Sequence, residues 1–433
     1  MREIDGYLET VMAQIRWKRA RTVLSEELRD HLLSQREACA AEGLTEEAAE
    51  REAVRRMGDP ITVGQELDRV HRPKPQWGLL ALTAALCLAG ASARMLLMAG
   101  NPDYVDGIRA LVMKDAGAAI LGIVLLVGGY LLDISFLGKH AGRICGVGMC
   151  LALVPALYII RPEYSHWDRL LWSLTLTYPL IYGLGLYSLR GRGWGGFSLA
   201  VLAMLPFGLG CVFHSDASTL LMLAASGAAL LFAAVSWGWF SLCRKQGIAV
   251  LTVLTCLGVL LALYWLSRYR RIEIAFHPER DPYAYGFMGT AIRRALRTAL
   301  AWGPAGSWED TGFLLRNTDL LPFQLVMRYG WLPALLLCGA VLGLLLGLLV
   351  KCLRQRGALV RVVSSSILLT LIWQYLWSGA MNLGLYLFEG SMPFLVGRLA
   401  TAVNMFLAGI LLSVFRCEAL PAQERRRSPM SRA

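Results

Sequence analysis

The sequence carries little charge for its length. Only 17% of its 433 residues are Asp, Glu, Lys or Arg, and 56% are hydrophobic, whereas about a quarter of an ordinary soluble domain is charged. The mean hydropathy of +0.49 is higher than a water-soluble fold of this size requires. This composition excludes a disordered, collagen-like or disulfide-rich chain. It predicts a membrane protein with room for about ten spans of roughly 20 residues.

Several familiar signatures are also absent. The chain has no GxSxG nucleophile motif, no phosphate-binding P-loop and no HExxH zinc motif. Its ten cysteines stand without any CxxC pair, so the sequence predicts neither a metal site nor a disulfide-stapled exterior. The first 76 residues are charged throughout and contain no apolar core, which is unlike a secretory signal peptide.

The net charge of +12 is unevenly distributed along the chain. Residues 1–76 contain 13 basic and 15 acidic side chains, whereas residues 77–433 contain 30 basic and 16 acidic ones. The basic excess therefore belongs to the apolar part of the chain. There it indicates orientation in a lipid bilayer and contact with anionic lipid, and we expect no nucleic-acid partner.

Residues 1–76 predict a small cytoplasmic domain of amphipathic helices. Apolar residues recur at helical spacing from the start of the chain. Glycines at 43 and 58 mark two helix ends, Thr45 is placed as an N-cap, and Pro60 is placed to open the last helix. The predicted helices cover about 3–18, 22–42, 45–58 and 60–71.

Ten apolar segments follow from Trp77, and they predict an all-α polytopic membrane domain at 77–415 with a basic tail at 416–433. If the N-terminus is cytoplasmic, the inner connections and tail hold 15 Lys or Arg, against 4 in the short outer connections. This bias predicts a multi-pass plasma-membrane protein with both termini in the cytoplasm and a large extracytoplasmic loop at 267–330. The predicted spans are 77–99, 117–137, 142–160, 168–188, 194–213, 217–242, 247–266, 331–350, 362–387 and 393–415.

Acidic side chains are scarce after residue 77, so each is informative. Asp133 and Asp216 lie near the ends of predicted spans, where a structural ion pair explains them at least as well as a function. Asp319 closes the long loop at the membrane surface, where a lipid-linked substrate would present its head group. The loop has nine arginines against six acids, which suits a pyrophosphate-bearing lipid; contact with phospholipid head groups is the alternative.

Four stretches resemble the shape, elongation, division and sporulation (SEDS) proteins of the FtsW/RodA type. "HSDASTLLMLAASGAALLF" places Asp216 and Thr219 on the family's Asp and Thr, and "YRRIEIAFHPERDPYAYGF", which includes Arg280, is similar to the start of its large loop. "NTDLLPFQLVMRYGWLPALLL" places Thr318 and Asp319 on the hallmark Thr-Asp pair. "MNLGLYLFEGSMPFL" resembles a late Asn-x-Gly and Pro-Phe stretch.

Residues 1–76 are separately similar to a helical prefix domain found ahead of bacterial permeases and of some FtsW-like proteins. The stretches "EELRDHL" and "AVRRMGDPITVGQELDRVHRP" carry this likeness. The resemblance does not indicate what the domain senses.

The SEDS resemblance implies a peptidoglycan glycosyltransferase that extends glycan strands from a lipid-linked disaccharide-peptide precursor. Asp319 would be the general base, since a sugar hydroxyl is a poor nucleophile unless it loses its proton. Loop arginines or a divalent cation would stabilise the leaving pyrophosphate, and no other cofactor is implied. A class B transpeptidase, a penicillin-binding protein, would be the partner. The implied substrate-binding or supporting residues are Asp216, Thr219, Thr318, Arg280 and Arg316.

Two alternatives from other classes stay open. The chain departs from the family after Asp319, where Leu320, Leu321 and Pro322 replace the usual Phe-Ile-Phe. A non-catalytic membrane scaffold or sensor of the division or elongation machinery therefore remains the main alternative. A transporter is weaker, since the sequence lacks paired broken helices and intramembrane charge relays.

Overall fold

The computed structural model describes ten ranges: 2–72, 75–99, 105–154, 173–213, 217–267, 270–305, 317–355, 357–387, 390–395 and 399–416. In these ranges the chain forms α-helices and short 3₁₀ turns, and none of the residues described is in a β-strand. The chain divides into two compact units, of which one contains Met1–Gln76 and the other is Trp77–Val414.

The amino-terminal unit consists of four helices. The fourth begins at Pro60, as the sequence predicts, and the side chain of Asp59 caps it by accepting a 2.9 Å hydrogen bond from the Thr62 amide. Thr45 lies at the N-cap position of the third helix in an extended conformation, as predicted, but its side chain makes no cap hydrogen bond. The helices are α1 (Arg2–Gln14), α2 (Lys18–Ala41), α3 (Glu46–Met57) and α4 (Pro60–His71).

The first of these helices is shorter than its sequence pattern predicts. It ends at Gln14 rather than near residue 18, because the fully buried Ile15 lies in the turn toward α2. α4 lies very close to α1: a Cβ atom on Gly64 would be 2.8 Å from the carbonyl oxygen of Val11. Only glycine fits this approach without a shift of the backbone.

Among the described residues of the larger unit, seven helical stretches are long and apolar enough to cross a membrane. Two of the other predicted spans, 142–160 and 168–188, extend into residues outside the described ranges, and 247–266 lies within a single 24-residue helix. The helices are α5 (Trp77–Ala99), α6 (Val105–Leu131), α7 (Ile134–Lys139), α8 (Ala141–Ala152), α9 (Tyr178–Ser188), α10 (Gly193–Leu202), α11 (Met204–Phe213), α12 (Ala217–Ser236), α13 (Arg244–Ser267), α14 (Arg270–Phe276), α15 (Phe287–Leu296), α16 (Leu321–Tyr329), α17 (Trp331–Leu353), α18 (Ala358–Asn382) and α19 (Leu399–Arg416). The seven membrane-length stretches are Trp77–Met98, Met113–Leu131, Gly193–Val212, Ser218–Ser236, Trp331–Leu353, Ala358–Asn382 and Leu399–Arg416.

The second span begins earlier than the sequence predicts. The apolar run was expected to start at residue 117, but α6 extends back to Val105. Asp115 therefore lies in the helix rather than in a connection, and only 3% of its surface is exposed. A charged residue can be buried near the end of a membrane-length helix when a partner of opposite charge is available.

Helices α6 and α19 pack backbone against backbone. A Cβ atom on Gly129 would be 2.6 Å from the carbonyl oxygen of Phe406, and one on Gly409 would be 2.3 Å from that of Leu126. The neighbouring Gly128 has no atom within 4 Å of the corresponding position. Small residues at such a contact let two membrane helices approach closely.

The described parts of the segment 267–330 are mostly helical and lead directly into α17. Gly330, with φ of +95°, ends α16 and reverses the chain into α17. The first amides of α17 then donate to this segment: Trp331 N–H to the Leu300 carbonyl at 3.0 Å, and Leu332 N–H to the Ala301 carbonyl at 3.1 Å. The segment thus supplies the backbone acceptors that cap a membrane-length helix.

Candidate functional site

Asp319 lies in a 3₁₀ turn, Thr318–Leu320, immediately before α16. Its side chain is half-buried, whereas its neighbours Thr318 and Leu320 are 6% and 0% exposed. The Asn317 side chain fixes the turn by accepting a 2.9 Å hydrogen bond from the Asp319 amide. Asparagine favours such turns because its side chain can bond the backbone two residues on.

Asn382, the last residue of α18, holds the same turn from another helix. Its side-chain amide donates to the Asp319 carbonyl at 3.1 Å, and its side-chain oxygen accepts from the Phe323 amide at 3.0 Å. The second bond satisfies an amide in the first turn of α16, which has no partner within its own helix. One side chain therefore fixes both Asp319 and the helix that follows it.

Gln324 forms a third support and lies completely buried on α16. Its amide nitrogen donates to the Asn317 carbonyl at 2.7 Å. Its amide oxygen accepts a 2.5 Å hydrogen bond from the guanidinium of Arg94 on α5. Both ends of this side chain are thus used to join the turn to the first membrane-length helix.

Arg94 also pairs with Asp115 on α6. The guanidinium nitrogen Nε lies 3.4 Å from a carboxylate oxygen of Asp115, and the two side chains are 1% and 4% exposed. The sequence analysis did not single out this pair. It placed Asp115 in a connection before the second span, and it left Arg94 inside an apolar run without a partner. The sequence could have indicated this pair, because a basic and an acidic residue lie near the adjoining ends of two successive spans.

An apolar cluster lies beneath the turn and gives it a rigid base. Leu320, Phe323 and Met327 contribute the face of the turn and of α16, and Met381 contributes from α18. Packing of this density restricts the positions that the backbone can adopt. The other buried members of the cluster come from α15 and the chain after it: Ile292, Ala295 and Ala305.

The arginines of this segment have different environments. Arg280, a predicted supporting residue, is 59% exposed and paired with Glu273. Arg293, which the sequence analysis did not single out, instead joins three stretches of backbone: it donates to the carbonyls of Ala275 and Phe276, both at 3.0 Å, and of Gly384 at 3.2 Å.

A carboxylate beside Arg280 is also stabilised in its ionised form. The pKa of Glu279 is lowered, chiefly by a hydrogen bond from its own backbone amide and further by His277, whose ring nitrogen lies 3.4 Å away. This surface of the segment therefore carries ionised groups of both signs.

Thr219 lies on α12, apart from the turn, but against the same helix α18. It is 3% exposed, and its hydroxyl is 3.3 Å from that of Thr175. One turn further along α12, Met222 belongs to a cluster that packs against Trp373 of α18. Trp373 and Asn382 are nine residues apart, about 13 Å along the helix. The remaining predicted supporting residues, Asp216 and Arg316, lie outside the described ranges.

The arrangement is suited to proton transfer. A half-buried carboxylate is held on a turn whose amide and carbonyl groups are both bonded. Among the residues described, no three His, Cys, Asp or Glu side chains are grouped as a metal site would require. A carboxylate fixed in this way can accept a proton from a bound hydroxyl group.

A scan against protein-family models finds no match, and a search of curated proteins finds none either. The chain is similar in fold to a chain from a solved structure described as "Structural coordination of polymerization and crosslinking by a peptidoglycan synthase complex". The TM-score is 0.56 and the sequence identity 20%, over 79% of this chain and 98% of that one. At this identity the likeness shows the fold, and it agrees with the fold that the SEDS resemblance implies.

Proposed function

We propose that this protein is a peptidoglycan glycosyltransferase that polymerises a lipid-linked disaccharide-peptide precursor in cell-wall synthesis, cell shape or division. The observation that carries the proposal is the Asp319 turn, which three side chains from two helices and its own loop hold in place. The fold shared with a component of a peptidoglycan synthase complex supports the proposal independently.

The proposed topology has ten spans with both termini in the cytoplasm. Seven apolar helices support it directly, and the basic connections of the sequence set the orientation. In this arrangement residues 1–76 form a cytoplasmic domain, and the Asp319 turn faces the extracytoplasmic side. Asp319 then lies at the membrane surface, where a lipid-linked donor presents its sugars.

In the proposed reaction Asp319 takes the proton from the acceptor sugar hydroxyl. The hydroxyl oxygen attacks the anomeric carbon of the donor sugar, and the bond from that carbon to the pyrophosphate breaks. One displacement of this kind inverts the anomeric centre and leaves a lipid pyrophosphate. The proton remains on Asp319 until solvent removes it.

The remaining residues have supporting roles in this proposal. Thr318 is buried directly beside the base, and Thr219 is buried on α12, apart from the turn. Arg280 and Arg316 are proposed to stabilise the leaving pyrophosphate, and Asp216 to support the pocket. Among the residues that the structure describes, no three His, Cys, Asp or Glu side chains are grouped to hold a divalent cation. A cation would take its ligands mainly from the substrate's pyrophosphate.

A transpeptidase of class B is the proposed partner, because glycan strands must be crosslinked as they are made. The solved structure that shares this fold is described as coordinating polymerization and crosslinking. The non-catalytic scaffold or sensor is the competing function, and it needs the partner but not the carboxylate.

The test is polymerisation of purified lipid-linked precursor by the full-length protein with a divalent cation and a cognate transpeptidase. Replacement of Asp319 by Asn keeps the size of the side chain and removes the base. We expect a loss of about 10²- to 10⁴-fold in polymerisation rate, the usual contribution of general-base catalysis.

Asp133→Asn is the matched control. Asp133 caps α7 through a 2.9 Å bond from the Ser135 amide, and Asn caps equally well, so this variant should retain full activity. Wild-type protein that makes no polymer would favour the scaffold, and an active Asp319→Asn protein would remove Asp319 from the mechanism.

A further inference from the structure

The buried Arg94–Asp115 pair is more than a contact between two successive helices. Arg94 uses a second nitrogen, Nη1, to donate to Gln324 on α16, which lies more than two hundred residues later in the chain. Burying two charges costs several kcal/mol per ion before their attraction is counted. A pair of apolar side chains would join α5 to α6 without that cost, so the charges call for another explanation.

The hydrogen bonds continue without a gap from this pair to Asp319. Arg94 donates to the Gln324 side-chain oxygen, and the Gln324 side-chain nitrogen donates to the Asn317 carbonyl. The Asn317 side chain then accepts from the Asp319 amide. The three bonds are 2.5, 2.7 and 2.9 Å long, and none is longer than an ordinary N–H···O bond.

The direction of each bond matters for this series. Gln324 has one acceptor and one donor group, and Arg94 can only donate. The charge of Arg94 therefore fixes which end of the Gln324 amide faces α5, and this in turn presents the nitrogen to Asn317. Asp115 holds the guanidinium in place. With an apolar residue at position 94, the Gln324 amide would lose the donor that binds its oxygen and would be held at its nitrogen by the Asn317 carbonyl.

We propose that Arg94, Asp115 and Gln324 are positioning residues for Asp319. From α5, α6 and α16 these three side chains fix the position of the Asp319 carboxylate, and Asn382 fixes the same turn from α18. This inference rests on the proposed function for its catalytic consequence, but the positioning itself is a property of the fold and can be measured without catalysis.

The first test uses a cysteine at position 319 as a reporter. Asp319→Cys is labelled with a membrane-impermeant maleimide in the full-length protein, and labelling at this position is measured by peptide mass spectrometry. Gln324→Glu keeps an acceptor for Arg94 but places a carboxylate oxygen against the Asn317 carbonyl. We expect it to change the labelling rate at position 319 by at least about threefold, since the turn loses its bond.

Gln374→Met is the matched control for the loss of a buried amide. Gln374 is also a buried glutamine of this unit, and it exchanges two hydrogen bonds of 2.9 and 2.8 Å with Asn404 of α19. Its loss should leave labelling at 319 unchanged. A labelling rate that changes equally in both variants would overturn the inference, because the effect would then be general loosening.

A second variant guards against a failure of Gln324→Glu to fold. Arg94→Gln with Asp115→Asn removes both charges together and leaves no unpaired ion. It should reproduce the labelling change, and combining it with Gln324→Met, which introduces no charge, should add nothing further, because both act through the same series of bonds. Additive changes would contradict the proposal.

Polymerisation by the same variants with Asp319 intact separates positioning from binding. We expect kcat to fall at least tenfold while KM changes less than twofold, because a displaced base weakens the transition state and not the bound substrate. If labelling responds as expected but Asp319→Asn retains full activity, the positioning stands and the proposed function fails. If labelling at 319 does not respond, the positioning is wrong.

Discussion

The ion pairs of the amino-terminal unit and the Arg94–Asp115 pair of the larger unit differ in their burial. In the amino-terminal unit, ion pairs lie at the surface: Arg29 and Asp5 are 47% and 52% exposed at 2.6 Å, and Arg56 bonds both Glu42 and Glu52. In the larger unit, Arg94 and Asp115 are almost completely buried. Surface pairs contribute little because water screens them, whereas a buried pair becomes costly as soon as one partner is lost. The distance between two charged groups therefore does not show how much an ion pair stabilises the fold unless the burial of the pair is also known.

The largest effect should come from breaking the buried pair on one side. Asp115→Asn leaves the Arg94 charge buried without its carboxylate, and we expect it to lower the free energy of unfolding by about 3–5 kcal/mol. Asp5→Asn removes the carboxylate of the exposed pair and should cost about 0.5 kcal/mol. Chemical unfolding of the full-length protein in detergent measures both. Equal effects would end the contrast between the two units.

A close helix approach should be next in size. Gly129→Ala places a methyl group against the backbone of α19 and should cost about 1–3 kcal/mol. Gly128→Ala, one residue earlier, meets nothing within 4 Å and should be neutral or slightly stabilising, because alanine favours helix more than glycine. The difference between their melting temperatures in detergent tests whether the packing of α6 on α19 is as close as described.

A buried pair without charge gives an intermediate case. Gln374→Leu leaves the Asn404 amide without its two reciprocal bonds, and we expect a loss of about 1–3 kcal/mol, smaller than that of Asp115→Asn. The same unfolding measurement applies, with the Gln374→Leu and Asn404→Leu double variant as control. The double variant should recover part of the loss, since neither amide is then left unsatisfied.

The smallest effect should be a response of the amino-terminal unit to acid. Hydrogen bonds from Arg55 and Arg56 lower the pKa of Glu52 to about 2. A lowered pKa in the folded state means that the stabilisation is complete above the ordinary glutamate pKa and is lost as the pH falls toward 2. The protection of α3 amides against hydrogen exchange in the full-length protein, corrected for intrinsic rates, should weaken over this range. Glu52→Gln should remove that dependence and leave the Arg94–Asp115 region unchanged.

Sequence reasoning could predict those features that depend on long, uniform patterns. The apolar run that starts at Trp77 coincides with the start of α5, and Pro60 with the start of α4. It could not predict Asp115 as a buried residue, since the charges near it resemble a connection and only the position of Arg94 makes burial possible. The roles of Asn382 and Gln324 depend on contacts between distant segments, which leave no local signal. The place of Asp319 at the end of the long loop singled it out, but only the resemblance assigned it the role of general base.

The junction at Gly330 has a consequence for how the chain is assembled. The first amides of α17 have their acceptors in residues 300 and 301, so the helix carries its apolar residues up to its very first turn without a polar capping side chain. A helix with this start is complete only when the preceding segment has reached its final place. We therefore expect the first turn of α17 to become stable only after residues 300 and 301 have reached their final place. A side chain at Gly330, which would meet the backbone of Trp302 at 2.7 Å, should delay or weaken this last step of folding.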